Sequence, residues 1–499
     1  MCGIVAHYGK QTEAVLRKML EKVRHRGPDE EDLCAFGNLY LGHKRLSIIG
    51  PDLGRQPISN ETGAINVVVN GEIYNYRRLQ QKLPEHTFTT KSDSEVVVHL
   101  YEELGPDCVK ELDGMFALVL SDRGRPFAAR DTLGIKPLYY AQDENGIYFA
   151  SEIKSLINVT KEIYEFPPGH YYSLETGLKP YRELEAPFSD LTTWNERDVQ
   201  KAMATIREKL EQAVVKRLMA DVPLGVLLSG GLDSSLVSAI ARKHTRQRQL
   251  NSFCVGMEGS RDLPAARTAA NYLGTVHHEY VYTRREVLEI LPEVIYYLES
   301  FDPSLVRSAV PTYFVARLAA KYVKVVLSGE GSDELFSGYS YLKKFKTQKG
   351  LHQELFRSIK ALHNINLQRL DRMTMAHSIE GRVPFLDLDL VAYAAALPAE
   401  LKLYGRNRIE KWILRKAFEG YLPDEILWRD KQQFAEGCGS DKIIQELVAK
   451  QISDEEFARD RHLVSPPLRS KEELYYYRIF REFFDSDRAV SCVGRWATA

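Results

Sequence analysis

A cysteine at position 2 can do chemistry that a cysteine elsewhere in the chain cannot. Removal of Met1, expected ahead of a small second residue, leaves its thiol and a free α-amine on one residue. The unperturbed pKa of such an amine is about 7.7–8.0, so near neutral pH it serves, directly or through a water, as the base that the thiol needs. That is the arrangement of an N-terminal nucleophile. A second string with chemical content lies far downstream. Ser229-Gly230-Gly231-Leu232-Asp233-Ser234-Ser235 falls between an apolar strand-like run, Val226-Leu227-Leu228, and a helical stretch from Ser234 to about Lys243. A glycine-rich turn in that context aims backbone N–H groups and a helix N-terminus at phosphate oxygens, and the hydroxyls of Ser229, Ser234 and Ser235 add donors. Neither a Walker G-x-x-x-x-G-K-[ST] nor a G-x-G-x-x-G pattern occurs here, which argues against a P-loop NTPase or a dinucleotide fold. An acidic string, Ser328-Gly329-Glu330-Gly331-Ser332-Asp333-Glu334, ends the apolar run Val325-Val326-Leu327. Both loops therefore open at the carboxyl edge of a sheet, where ligands bind in open α/β folds.

The elements that must hold these strings differ between the two ends of the chain. Residues 1 to about 185 carry short β-like runs between turn residues, Ile65–Val69, Phe116–Leu120, Leu138–Ala141 and Gly146–Ala150 among them, with helical patterns near 12–24 and 93–104. This predicts a mixed domain of antiparallel strands and a few helices. Periodicity lapses around 186–192, and Thr193-x-x-Glu196 gives a capping-box signature, which places a boundary near 190–196. Val199, Met203, Ile206, Leu210, Ala213, Val214 and Leu218 then form one apolar helical face. Apolar strands at 226–228, 253–255 and 325–327 alternate with helical stretches, which implies a parallel sheet covered on both faces. Residues 350–499 read as mostly helical.

With 499 residues, 44% apolar and 27% charged, the chain is long enough for two or three cores and is neither disordered nor low in complexity. Its 67 basic against 68 acidic side chains offer no electrostatic reason to expect nucleic acid or a membrane surface as partner. No run approaches the roughly 18–20 apolar residues of a membrane span, and no secretory leader is evident, so a cytoplasmic location is expected. The six cysteines, at 2, 34, 108, 254, 438 and 492, form no C-x-x-C and no Cys/His set at zinc spacing; His7, His25 and His43 lack a mutual spacing for a metal.

Arg24-His25-Arg26-Gly27-Pro28-Asp29, His43-Lys44-Arg45-Leu46-Ser47, Asn70-Gly71-Glu72, Ser92-Asp93-Ser94-Glu95 and Arg130-Asp131 with Leu133 to Tyr139 accompany Cys2. On these strings residues 1 to about 160 resemble the glutaminase domain of class II glutamine amidotransferases. The resemblance implies that Cys2 attacks the side-chain amide of glutamine, that the Asn70 side chain and the Gly71 N–H form an oxyanion hole, that Arg45 pairs with the α-carboxylate, and that the Glu72 backbone and Asp93 hold the α-ammonium. Ser229 to Ser235 is similar to the PP-loop of ATP pyrophosphatases. With Gly256-Met257, Leu273-Gly274, Glu380 to Asp387 and Trp428-Arg429-Asp430-Lys431, the whole chain resembles the glutamine-dependent asparagine synthetases. The implied fold is an α+β N-terminal-nucleophile glutaminase domain, residues 1–190, followed by an α/β parallel-sheet ATP pyrophosphatase domain, residues 191–499.

The resemblance implies the substrates glutamine, aspartate and ATP, an ATP site of Leu227, Ser229, Gly230, Gly231, Asp233, Ser234, Ser235, Val255, Ser328 and Gly329, and Mg²⁺ held by Asp233 and Asp333. Glu330 handles substrate or a proton, Arg307 clamps the acceptor carboxylate, and Arg372 and Lys431 neutralise phosphate charge. Paired glutaminase domains, hence a homodimer, are also implied. One segment departs from the family: Ser304-Leu305-Val306-Arg307-Ser308-Ala309 stands where Thr-Thr-x-Arg-Ala-Ser is the pattern. A ligase acting on another carboxylic acid by the same adenylation chemistry is the alternative this motivates.

Overall fold

The computed structural model describes residues 2–186, 188, 194–430, 434–439 and 441–496. Twelve strands form two antiparallel sheets before residue 181. They are β1 Cys2–Gly9, β2 Glu30–Phe36, β3 Leu39–Arg45, β4 Ile58–Ser59, β5 Ile65–Ile73, β6 Gly114–Asp122, β7 Arg125–Arg130, β8 Tyr139–Asp143, β9 Gly146–Ala150, β10 Ile163–Glu165, β11 His170–Ser173 and β12 Gly177–Pro180. One sheet runs β10-β8-β9-β1-β3-β2 and the other β12-β11-β7-β6-β5-β4.

Side-chain alternation decides how they stack. Ile4 and Ala6 of β1 and Leu39 and Leu41 of β3 meet Val68 of β5, Ala117 and Val119 of β6 and Ala128 of β7 in a single buried cluster between the sheets. The intervening residues face outward: Val5 packs on Leu16, Met19 and Leu20 of the helix Glu13–Glu21. Val67 and Val69 pack on Val96, Val97 and Leu100 of the helix Val96–Leu104. With a period of two, each strand buries both faces, which is why β5 and β6 read as nearly continuous apolar runs.

The later strands are β13 Leu224–Leu227, β14 Asn251–Gly256, β15 Val276–Val281, β16 Val325–Leu327 and β17 Glu380–Arg382. All pair in parallel, in the order β15-β14-β13-β16-β17. The chain leaves β13 to one side for β14 and returns to its other side at β16, so the order reverses between β13 and β16. That reversal opens a crevice at their carboxyl ends. The helix Glu196–Lys216 buries Met203, Ile206, Leu210, Ala213 and Val214 on one face, as its spacing predicts. Its capping box is formed by Asn195 and Asp198; the expected Thr193 lies outside the described residues. Asn195 accepts from the Asp198 N–H and the Asp198 carboxylate accepts from the Asn195 N–H, a pairing as apt as the Thr-x-x-Glu signature. The aromatic run at 475–477 sits in the helix Lys471–Phe483, with Tyr476, Tyr477 and Phe480 buried against the core.

Candidate active sites

The register of β1 against β3 puts Cys2 opposite Arg45, and Asn70 reaches it from β5 in the facing sheet. The Cys2 backbone nitrogen donates to Asn70 Oδ1 at 3.0 Å. Asn70 is wholly buried and its Nδ2 has no partner. A buried amide donor left unpaired costs about 1–3 kcal/mol, so a developing oxyanion beside it finds a donor that is already desolvated. Gly71 is required by the sheet: a Cβ there would lie 2.0 Å from the Met115 carbonyl oxygen. Burial pushes the Cys2 thiol up, and Arg45 pulls against it. Burial drives His43 to about 3, so its ring is neutral, and Nε2 lies 3.3 Å from the Val69 carbonyl oxygen.

Asp93, in the 3-10 turn Asp93–Glu95, accepts from the Ile73 N–H at 2.6 Å, and burial raises it to about 6. Glu72 is also raised, by burial first and then by Glu380 and Asp93. A cation brought to this acidic pair relieves both. Arg45 is held by the chain itself. Its Nη1 and Nη2 donate to the carbonyls of Ile49, Gly50 and Pro51 and to Glu30, at 2.8–3.2 Å. It braces the 49–54 loop, and a substrate carboxylate would have to displace Glu30 to take the fork.

The phosphate-type loop follows β13. Gly231 is the N-cap of the helix Leu232–His244, and the hydroxyls of Ser229 and Ser234 lie 3.2 Å apart. Gly329, in the loop after β16, touches it, since a Cβ there would lie 2.8 Å from Asp233 Cβ and 2.9 Å from the Ser234 nitrogen. A cavity of about 330 Å³ opens between them. Its lining includes Leu227, Ser229, Gly231, Asp233, Ser234 and Val255, together with Ser328, Gly329, Glu330, Asp333 and Arg307. Two residues of the expected ATP set are absent from the lining. Gly230 turns the chain at φ +70° against Ala265, where a Cβ would lie 2.3 Å from the carbonyl carbon, and Ser235 is fully buried in the helix. The departing segment Ser304–Ala309 belongs to the helix Pro303–Ala319. There Ser308 faces the cavity and donates back to the carbonyls of Ser304 and Leu305, at 2.8 and 3.1 Å. A hydroxyl therefore persists at this wall, one residue from its usual place.

Asp233 and Asp333 converge on one cation, the Lys411 ammonium, at 2.5 and 2.6 Å. Lys411 is buried and sits at φ 56°, a left-handed conformation that lysine adopts only where the surroundings enforce it. Arg369 pairs with Glu330, and Arg429 donates to the Ser229 carbonyl at 3.3 Å. Sequence reasoning missed Lys411 and Arg369, and only the backbone strain at 411 flags it. Lys431 lies outside the described residues.

Arg372 does not line the cavity. It is fully buried between the two parts of the chain, paired with Glu152 at 2.8 Å and Glu299 at 2.9 Å, and donates to the Ser151 carbonyl. Both carboxylates also hold Lys154. Arg26 does the same nearer the thiol: Nε donates to the Cys2 carbonyl at 3.0 Å, and Nη1 reaches Glu152 at 2.7 Å and Asp371 at 2.8 Å. Arg382 joins Glu380 at 2.5 Å and Glu72 at 3.4 Å. Beside these pairs Met115, Leu133 and Ile135 enter the same buried cluster as Leu232 and Val383.

A family model described as glutamine amidotransferase domain matches residues 1–181, and one described as asparagine synthase matches 205–350 and 342–498. Asparagine synthetase [glutamine-hydrolyzing] 2 of Arabidopsis thaliana is 42% identical, covering 99% of this chain and 89% of its own length. The Asparagus officinalis enzyme of that name is 42% identical over 98% of this chain and 87% of its own, and a probable one from Dictyostelium discoideum 41% over 99% and 96%. Among solved structures, a B. subtilis glutamine phosphoribosylpyrophosphate amidotransferase aligns with a TM-score of 0.34 and 16% identity over 56% of this chain and 81% of that one.

Proposed function

The chain belongs to the glutamine-hydrolysing asparagine synthetase family, and from that membership we infer that it is a ligase making asparagine from aspartate with ATP and glutamine. The observation that carries the reading at the level of residues is the presence in one chain of two separate sites. One is a buried thiol at position 2 whose backbone nitrogen is held by Asn70; the other is a pair of acidic and glycine-rich loops meeting at the sheet's reversal point.

We propose that residues 1–190 release ammonia and residues 191–499 consume it. Cys2 sulfur attacks the amide carbon of glutamine, the α-amine takes the thiol proton and passes it to the amide nitrogen, ammonia leaves, and water hydrolyses the thioester to glutamate, freeing the thiol. Asn70 Nδ2 and the Gly71 N–H receive the oxyanion. Asp93 and the Glu72 backbone hold the α-ammonium. In the second site a β-carboxylate oxygen of aspartate attacks the α-phosphorus of ATP and pyrophosphate departs. Adenylation removes the negative charge and supplies a leaving group; ammonia then attacks the carbonyl carbon and AMP leaves. The Ser229 and Ser234 hydroxyls and the N-terminus of the helix Leu232–His244 hold phosphate oxygens. Arg307, which also lies 3.4 Å from Glu472, clamps the acceptor carboxylate, and Glu330 stands across the cavity for substrate or a proton.

Asp233 and Asp333 fit Mg²⁺, because their carboxylates already share one cationic centre, the Lys411 ammonium, and a carboxylate donor set suits that ion. Bound there, the ion would neutralise charge on the phosphates. Lys411 and Arg369 supply the cations that Arg372 does not. Ammonia must travel unprotonated, and the cluster of Met115, Leu133 and Ile135 with Leu232 and Val383 supports an apolar passage between the parts.

Among the described residues no helix is long and apolar enough to cross a membrane. The reading includes a cytoplasmic homodimer with no nucleic-acid or membrane partner, and sedimentation velocity would test the dimer. Cys2→Ala tests the division of labour. Asparagine formation from glutamine should vanish while formation from ammonium persists; equal loss with both nitrogen donors refutes it.

A further inference from the structure

Four side chains with metal-binding atoms converge on the amidotransferase half, and neither active site uses them. Glu61 comes from the turn between β4 and β5, His86 from the loop after the helix Tyr76–Gln81, and His99 and Glu102 lie one turn apart on the helix Val96–Leu104. Their ligand atoms all fall within 4.8 Å of one another. Glu61 Oε1 is 3.3 Å from His86 Nδ1, Glu61 Oε2 is 3.4 Å from His99 Nδ1, and His86 Nδ1 is 3.9 Å from Glu102 Oε2. A tetrahedral zinc centre with bonds of about 2.0–2.2 Å has ligand-to-ligand edges of about 3.3–3.6 Å.

Two further observations point to an ion. His99 is fully buried, and neither ring nitrogen makes a hydrogen bond of ordinary geometry: Nδ1 faces Glu61 at 3.4 Å and Nε2 faces Glu95 at 3.8 Å. The groups also have the outer partners that orient ligands. His86 Nε2 faces Glu103 Oε1 at 3.1 Å, and His99 Nε2 faces Glu95 Oε1 at 3.8 Å. Glu61 Oε1 accepts from the Thr87 N–H at 2.7 Å, and Glu102 Oε2 accepts from Asn60 Nδ2 at 2.9 Å. A carboxylate on the far nitrogen fixes the imidazole tautomer and strengthens its free lone pair toward a metal.

We propose that Glu61, His86, His99 and Glu102 form a structural site for a divalent transition-metal ion, Zn²⁺ by ligand type. Two imidazoles and two carboxylates suit zinc better than magnesium, and four protein ligands leave no open position for catalysis. The ion ties the β4–β5 turn and the segment before Ser92 to one helix, and so holds the approach to Asp93. The spacing of these residues gives no zinc signature, because each ligand outside the helix comes from a different loop.

The test uses the full chain, stripped of metal, then titrated with Zn²⁺ and separately with Co²⁺. Wild type should take up Zn²⁺ with a rise in its thermal midpoint and give the visible absorption of tetrahedral Co²⁺. His86→Ala and Glu102→Gln, at positions the core does not need, should each weaken Zn²⁺ binding by more than the roughly 10–100-fold that loss of an outer partner brings. Ammonium-dependent asparagine synthesis should be unchanged in both. Zinc uptake and midpoint shift equal in wild type and both variants, or no uptake by wild type, overturns the site.

Discussion

Arg26 is the side chain through which the thiol and the second half of the molecule are most directly joined, so removing it is a sharp perturbation. Its guanidinium makes four hydrogen bonds, to the Cys2 carbonyl, to Glu152 and twice to Asp371, all inside the protein. In Arg26→Met the loss is unequal. Glu152 keeps Lys154 at 2.5 Å and Arg372 at 2.8 Å, whereas the nearest cation left to Asp371 among the described residues is Lys136, at 3.8 Å. One buried carboxylate is thus left nearly uncompensated, a change that costs about 3–5 kcal/mol. Arg26→Lys retains the charge but can serve one carboxylate at a time, and should fall between.

The sign with pH separates this account from simple loss of packing. In the native protein Asp371 is held below the ordinary carboxylate range, against its burial, first by Arg26 and then by Lys136. A depressed carboxylate contributes stability that is present above its unfolded pKa of about 3.9 and lost as pH falls through the folded value. In Arg26→Met, burial wins and the Asp371 carboxyl rises above its unfolded value. The folded variant then gains relative stability as pH falls from that raised value toward about 3.9, so over that window the gap from wild type narrows by up to about 1.4 kcal/mol per pH unit per proton. Urea unfolding of wild type, Arg26→Met and Arg26→Lys at pH 7.5, 6.0 and 4.5 measures the gap. Glutamate and asparagine counted together at pH 7.5 should show more glutamate released per asparagine in both variants, because the Cys2 carbonyl has lost its tie to Asp371. A gap under about 1 kcal/mol, or one that stays constant across the three pH values, refutes the reasoning.

Asn70→Ala removes the unpaired buried donor and should lower glutamine hydrolysis about 10²–10³-fold while ammonium-dependent synthesis stands; glutamate release and ammonium-dependent AMP formation, measured side by side, check it. Lys411→Met leaves Asp233 and Asp333 without the ammonium they share and the phosphates without its charge, so pyrophosphate formation should collapse with glutamate release intact. Asp93 carries its charge only above about 6, so glutamate release should fall as pH drops through that value. Asp93→Asn should abolish that inflection in a pH profile and raise KM for glutamine at pH 7.5. Because its folded value is raised, Asp93 lowers fold stability as pH rises from about 4 through 6, and Asp93→Asn should be no less stable at pH 8 than wild type in urea.

Much of this molecule was legible where chemistry and backbone coincide. Ser229 to Ser234 and Ser328 to Asp333 are loops whose function is carried by turn residues between apolar strands, so a local string specifies both the conformation and its contents. The parallel sheet followed from the same alternation of buried runs and helices, and the antiparallel sheets from short runs of β-branched and aromatic residues. Cations were legible only in part. Arg372 stands in a string resembling phosphate-binding relatives, yet Glu152 and Glu299, distant in sequence, claim its guanidinium. Lys411 stands in no motif, yet the fold delivers its ammonium to both acidic loops. A long basic side chain is directed by whichever buried carboxylates lie within reach, and those come from other elements. Arg45 repeats the point at short range, since its guanidinium is oriented by the carbonyls of Ile49 to Pro51, which its own string does not contain. Glycine and serine are bound to their own backbone, whereas arginine and lysine answer to the tertiary fold, and it is among them that a motif must be checked against coordinates residue by residue.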